Sequence, residues 1–160
     1  MSDLNHPRRA LAALGYELPK PAAAVASYLP ATRQNDLIVI SGQLPLVDGE
    51  LMVSGPVPSA VSVEKAAKAA GRCVVNALAA ADALLEADWS CVERIVRVGV
   101  FVWGDEGFAE QHLVANGASD LLVRAFGDQG RHARAAVGVS GLPLGASVEV
   151  ELWLGLAGSA

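Results

Sequence analysis

The chain has 160 residues, of which 52% are apolar and 18% charged. That composition excludes a disordered chain and fits one compact domain, residues 1–160, with more apolar surface than a single core needs, the excess suiting a subunit interface. With 12 Lys and Arg against 17 Asp and Glu, the net charge of −5 argues against general nucleic-acid binding, which needs a basic surface.

In chain order, the first residues lack the basic-then-apolar layout of a secretory signal. No stretch approaches ~20 uninterrupted apolar residues, so the expectation is a soluble, cytoplasmic protein without a membrane partner. Residues 1–17 read as an N-terminal extension. A short helix over residues 3–14 carries Leu4, Leu11 and Leu14, with Pro7 in its first turn and Gly15 at its end. The proline-rich stretch 18–30 reads as extended chain along a sheet edge. Residues 37–40 are a short apolar strand entering Ser41-Gly42-Gln43-Leu44-Pro45, and Asp48-Gly49 is the strongest hairpin turn. After a loop over 55–62, Ser62 is placed to cap a helix with Glu64 in its first turn. Ala70, Val74, Ala77, Ala81 and Leu84 recur at spacings that give this helix a thin apolar face, able to lie close on a sheet.

Residues 94–102 read as a valine-rich strand. Asp105 is placed to cap a second helix over 107–126, with Phe108, His112, Ala115, Ser119, Leu122 and Phe126 as its stripe and Gly127 as its stop. Two last strands, 133–139 and 147–156, are separated by a hairpin-length loop. The expected architecture is α+β: a mixed sheet with two helices packed on one face, the other face solvated or covered by another subunit.

Side-chain alternation along the last two strands singles out charges. If they pair as a hairpin, Arg134, Glu149 and Glu151 share the sheet face away from the helices, beside the small residues Ala136 and Gly138. Two readings stand. One is a solvated face with a cross-strand ion pair, Glu151 lying nearer to Arg134 than Glu149 does. The other is an anion site, in which Arg134 offers a fork to a carboxylate and a glutamate orients water.

The string Gly130-Arg131-His132-Ala133-Arg134-Ala135-Ala136-Val137-Gly138-Val139, with Leu142-Pro143 and Val148-Glu149-Val150-Glu151 behind it, resembles the C-terminal signature of the YjgF/RidA (reactive intermediate deaminase, endoribonuclease L-PSP-like) family. Ile40-Ser41-Gly42-Gln43-Leu44-Pro45 is similar to that family's SGQ-x-P motif, and the resemblance runs from about residue 25 to 155. It implies a chorismate-mutase-like fold assembled as a homotrimer, with clefts between subunits. It also implies hydrolysis of small enamine or imine acids, such as 2-aminoacrylate, to 2-oxo acids and ammonia, without a cofactor. On this resemblance Arg134 binds the substrate carboxylate, Glu149 holds the attacking water, and Tyr28, Ser41, Gly42 and Asn116 line the cleft. Ala136 stands where many relatives carry a cysteine, and Ala26-Ser27-Tyr28 stands in place of their Gly-Pro-Tyr, which marks a divergent subgroup.

Other candidates read more plainly. His6, His112 and His132 are scattered, and no His/Cys/Asp spacing resembles a metal site. His132 shares a face with Arg134 and is either solvated or turned into the cleft. Cys73 is a small core residue, Cys91 a loop residue without basic neighbours, and Ser41 lacks the histidine and elbow of a nucleophile. A non-catalytic metabolite binder using the same cleft is the alternative function, and a ribonuclease is the weakest.

Overall fold

The computed structural model describes residues 7–21 and 27–158. Residues 3–6 of the expected first helix, His6 included, and 22–26 of the proline-rich stretch lie outside them. Helix α1 (Pro7–Ala13) is followed by β1 (Ala31–Gln34), β2 (Leu37–Gln43), the two-residue strands β3 (Leu46–Val47) and β4 (Glu50–Leu51), α2 (Val63–Leu84), β5 (Val92–Trp103), α3 (Gln111–Phe126), β6 (Ala133–Val139) and β7 (Val148–Leu156). Five strands form one mixed sheet in the order β1-β2-β7-β5-β6, and β3 with β4 makes a separate ribbon closed by Asp48-Gly49, both at positive φ. Only β5 and β6 run parallel. They are joined by a crossover through α3, as parallel neighbours require.

Both long helices lie on one sheet face. Ile38 and Ile40 of β2, Val98, Val100 and Val102 of β5, and Val148, Val150, Leu152 and Leu154 of β7 point toward them and are fully buried or nearly so. The alternate side chains Leu37, Val39, Phe101 and Trp153 remain half-buried on the outer face. Helix α2 carries Ala66, Ala69, Ala70, Ala77 and Ala81 inward, the thin face expected, whereas Leu84 is exposed. Ser62 caps it, its hydroxyl accepting from the Lys65 amide at 3.3 Å.

Two helix expectations change. Helix α3 starts at Gln111 rather than residue 107, and Asp105 does not cap it: its carboxylate accepts instead from the Ser59 amide and hydroxyl, both at 2.9 Å, pinning the 55–62 loop. The buried face of α3 is Val114, Ala115, Ala118, Leu121, Leu122 and Ala125, which leaves His112 exposed. Gly127 ends the helix as expected.

The hairpin between the last two strands is also overturned. Strand β5 inserts between β6 and β7 and pairs with both, Val98 lying opposite Arg134 on one side and Leu152 on the other. The loop over 139–148, with a short 3-10 turn at Pro143–Gly145, therefore steps across β5. A valine-rich strand such as β5, buried on its helix face, gains more from two neighbours than from one edge position.

Helix α1 is clipped to the end of α2. Asp82, 6% exposed, receives the Arg8 guanidinium through two N–H groups and the Trp89 indole N–H at 2.9 Å. A carboxylate near a helix C-terminus faces the negative end of the dipole, so these donors offset both burial and dipole. Helices α2 and α3 meet backbone to backbone: a Cβ on Gly117 would lie 1.9 Å from the Ala67 carbonyl oxygen. Alanine favours an isolated helix over glycine by about 1 kcal/mol, yet Gly117→Ala is expected to lower stability by about 2 kcal/mol, because the two helices must separate. Urea unfolding of the variant checks the sign.

Candidate active site

Arg134 lies on β6, at the open edge of the sheet. Parallel pairing with β5 turns it to the same side as Val98, the helix side. Its side chain lies against α3, where one terminal amino group donates to Asn116 Oδ1 and to Ser119 Oγ, both at 3.0 Å. Asn116 and Ser119 are three apart on a helix and so share a face. Ser119 Oγ also lies 3.0 Å from His132 Nε2, and His132 Nδ1 lies 2.6 Å from the Gly130 carbonyl oxygen. Burial holds the His132 pKa below its usual value; the bond to Gly130 works against this, and the Arg134 charge adds to the lowering. Further along β6, Ala136 packs at the edge of the core, and Gln111 lies over Gly138 while donating to the Phe108 carbonyl at 2.6 Å.

The expected common face for Arg134, Glu149 and Glu151 is therefore wrong. Antiparallel pairing places Glu149 opposite Phe101 and Glu151 opposite Gly99, on the outer face. Glu149 lies two strands from Arg134 and three residues further along, roughly 10 Å in each direction by strand geometry, with the sheet between them. The expected ion pairs are absent among the described residues: Arg134 has neutral partners, and Glu151 lies 3.9 Å from Arg97, which in turn covers the Trp153 ring at 5.9 Å. Arg97, rather than Arg134, is the arginine beside Glu151 on the outer face.

Glu149 lies over Gly42. A Cβ there would fall 1.8 Å from Glu149 Oε1, so only glycine admits the carboxyl at this depth. The β2 ladder breaks between Ile40 and Gln43, and the bulge is held on three sides. The Ser41 hydroxyl donates to the Leu29 carbonyl at 2.7 Å, the Ser41 amide donates to the Pro30 carbonyl at 2.9 Å, and the Gln43 side-chain amide donates to the Ser41 carbonyl at 3.0 Å. Ser41 thus anchors the chain that carries Tyr28, which is 51% exposed and precedes β1. Burial, and then the charge of Glu151, raise the Glu149 pKa above the usual carboxylate value.

The candidate residues therefore fall into two halves. Arg134 and Asn116 are together on the helix side; Glu149, Ser41 and Gly42 are together on the outer side. Sequence reasoning missed Ser119, taken only as part of an apolar stripe, although its three-residue spacing from Asn116 was the available signal. A cavity of about 360 Å³ between Lys20, Gln43, Arg72 and Asn76 belongs to neither half. Arg72 and Asn76 there donate to the Leu44 and Leu46 carbonyls and hold the turn after β2. Among the described residues no three His, Cys, Asp or Glu side chains gather within reach of one metal ion. No helix among them is long and apolar enough to cross a membrane.

The raised pKa of Glu149 has a stability consequence. The folded chain holds this proton more tightly than the unfolded chain does, so folding loses stability as pH rises through the folded pKa. Glu149→Gln is expected to melt higher than the parent at pH 7, with the difference closing by about pH 4, near the ordinary glutamate value. Thermal melts between pH 4 and 8 measure it.

The family model described as Endoribonuclease L-PSP matches residues 19–154. Protein TCP17 of Trypanosoma cruzi is 40% identical over 139 residues, 86% of each chain. The crystal structure of the protein Atu1372 from Agrobacterium tumefaciens is 41% identical and superposes with a TM-score of 0.89 over 96% of this chain and 95% of that one. The YjgF gene product of E. coli is 25% identical, with a TM-score of 0.60 over 85% and 93%. Such a match over most of the length makes this chain a member of the endoribonuclease L-PSP family, the YjgF/RidA family.

Proposed function

We propose that the protein hydrolyses small enamine or imine acids of the 2-aminoacrylate type to 2-oxo acids and ammonia, in clefts between the subunits of a homotrimer with the chorismate-mutase-like arrangement. The observation that carries this reading is the separation of Arg134 and Glu149 on opposite sheet faces. One chain cannot direct both at one small molecule, whereas Arg134 of one copy and Glu149 of the next can close on it. The outer face favours such packing, since Leu37, Val39, Phe101, Trp153 and the 44%-exposed Val137 offer apolar area to a second copy.

In this cleft Arg134 takes the substrate carboxylate. Its Nε and second amino group have no partner among the described residues, a fork matched to two carboxylate oxygens. Asn116 holds the other side of the guanidinium, Ala136 leaves room, and Tyr28 covers the exposed approach. The enamine tautomerises to the imine, water adds to the imine carbon, and the tetrahedral adduct expels ammonia as the carbonyl forms. Glu149, its pKa raised above the usual carboxylate value by burial and then by Glu151, takes the proton from water and returns it to the leaving nitrogen. Ser41 and Gly42 shape the wall against which that carboxyl rests.

The ribonuclease named in the family description fits poorly with a net charge of −5. The compartment consistent with this reading is the cytoplasm. A cleft that binds the carboxylate without turnover is the second reading, and one assay separates the two.

Arg134→Ala is expected to abolish 2-aminoacrylate turnover, with a loss on the order of 2–5 kcal/mol of binding, or more than 10-fold in affinity. Melting temperature should stay put, because the side chain pairs only with neutral groups. Arg134→Lys should recover a small part, an ammonium lacking the fork. Light scattering of parent and variant should give about three times the 16.5 kDa chain mass; a monomer would defeat the shared cleft. Turnover should survive exhaustive chelation, and a loss restored by a divalent ion would reveal a metal requirement.

A further inference from the structure

The polar chain behind Arg134 runs in one direction. The Gly130 carbonyl only accepts, so the 2.6 Å contact puts a proton on His132 Nδ1. In the neutral ring, Nε2 is then an acceptor and takes the Ser119 hydroxyl hydrogen across 3.0 Å. With its hydrogen committed, Ser119 Oγ turns a lone pair to the Arg134 amino group, also at 3.0 Å. The ring is half-buried, and burial together with the Arg134 charge favours its neutral form. Asn116 Oδ1 is the second acceptor on the same amino group.

We propose that His132, acting through the Ser119 hydroxyl, is a positioning residue for Arg134, fixing the guanidinium so that its Nε and second amino group face outward as a fork for a planar anion; this rests on reading Arg134 as the carboxylate-binding group. Arg134 is exposed at a sheet edge, where a long side chain otherwise samples many rotamers and loses entropy on binding. Two acceptors on one amino group restrain it in advance, which is preorganisation of a binding group. The backbone supplies the origin of the chain: the turn over Gly127–Gly130 presents the Gly130 carbonyl to the ring just before β6 begins. Neither Ser119 nor His132 needs to touch the ligand.

The test uses the full-length protein and pyruvate, a simple 2-oxo acid, as the carboxylate probe. Pyruvate affinity, melting temperature and the NMR signal of the Arg134 Nε–H group, assigned by its loss in Arg134→Lys, are measured on each variant. Ser119→Ala and His132→Phe are each expected to weaken binding about fivefold and to shift and broaden the Arg134 signal, with melting unchanged. Because the two act in series, the double variant should bind no worse than the weaker single one. Ser119→Thr, which keeps the hydroxyl, should bind like the parent. Parent-like affinity with an unmoved Arg134 signal in Ser119→Ala, or additive losses in the double variant, would overturn the proposal. If the parent does not bind pyruvate, the carboxylate reading falls, and the Arg134 signal alone decides the positioning role: dependence on both residues sustains it and independence refutes it. Should His132→Phe melt early, Ser119→Ala carries the decision.

Discussion

Strand β5 is hydrogen-bonded on both edges, antiparallel to β7 and parallel to β6, and its register sets the direction of every polar side chain of interest. Opposed residues in adjacent strands share a face. Val98 must face the helices to be buried, so Arg134 and Leu152 beside it face them too. Phe101 and Gly99 point outward, and so do Glu149 and Glu151. A one-residue slip of β7 would turn the glutamates under the helices, at the cost of unpaired charges in an apolar layer, and a slip of β6 would turn Arg134 to the outer face.

This arrangement keeps opposite charges from cancelling each other. Had Arg134 and Glu149 shared a face at hydrogen-bond distance, they would close as an ion pair, and neither would be free for a ligand. With the sheet between them, Arg134 rests on neutral acceptors and, among the described residues, retains open donors, while Glu149 has no ion-pair partner among them and lies over Gly42 with its proton affinity raised. That state is stable because neither group is fully buried, so water continues to solvate both.

Helix packing sets the depth at which the helix-side half is held. Gly117 brings the α3 backbone against Ala67 of α2, and the alanines of α2 bring that helix down onto the sheet. Asn116 and Ser119 flank this contact, so their height above β6 follows from it. At the far end of α2, Arg8, Asp82 and Trp89 tie α1 down as well. The positions of the acceptors behind Arg134 thus depend on close helix contact, whose tolerance is a fraction of an ångström.

The order of elements, the alanine face of α2, the Ser62 cap, the Asp48-Gly49 turn and the inward parity of β7 were all legible in the amino-acid sequence, because each depends on residues within a turn or two of one another. The motifs around Ser41, Arg134 and Glu149 were legible as well, as resemblance. Strand adjacency was not. Two strands joined by a short loop normally pair, and nothing local to residues 133–156 signals that a strand some forty residues earlier will insert between them. Only the packed sheet decided that, and with it the side of the sheet on which Arg134 lies. The start of α3 was decided in the same way, since Asp105 found the Ser59 backbone before it could cap a helix. Ser119 and His132 came together for the same reason: α3 and the start of β6 converge only once β6 docks on β5. Local sequence determines which side chains alternate and which segments coil, whereas the face each alternation presents depends on a neighbour chosen by burial across the whole chain.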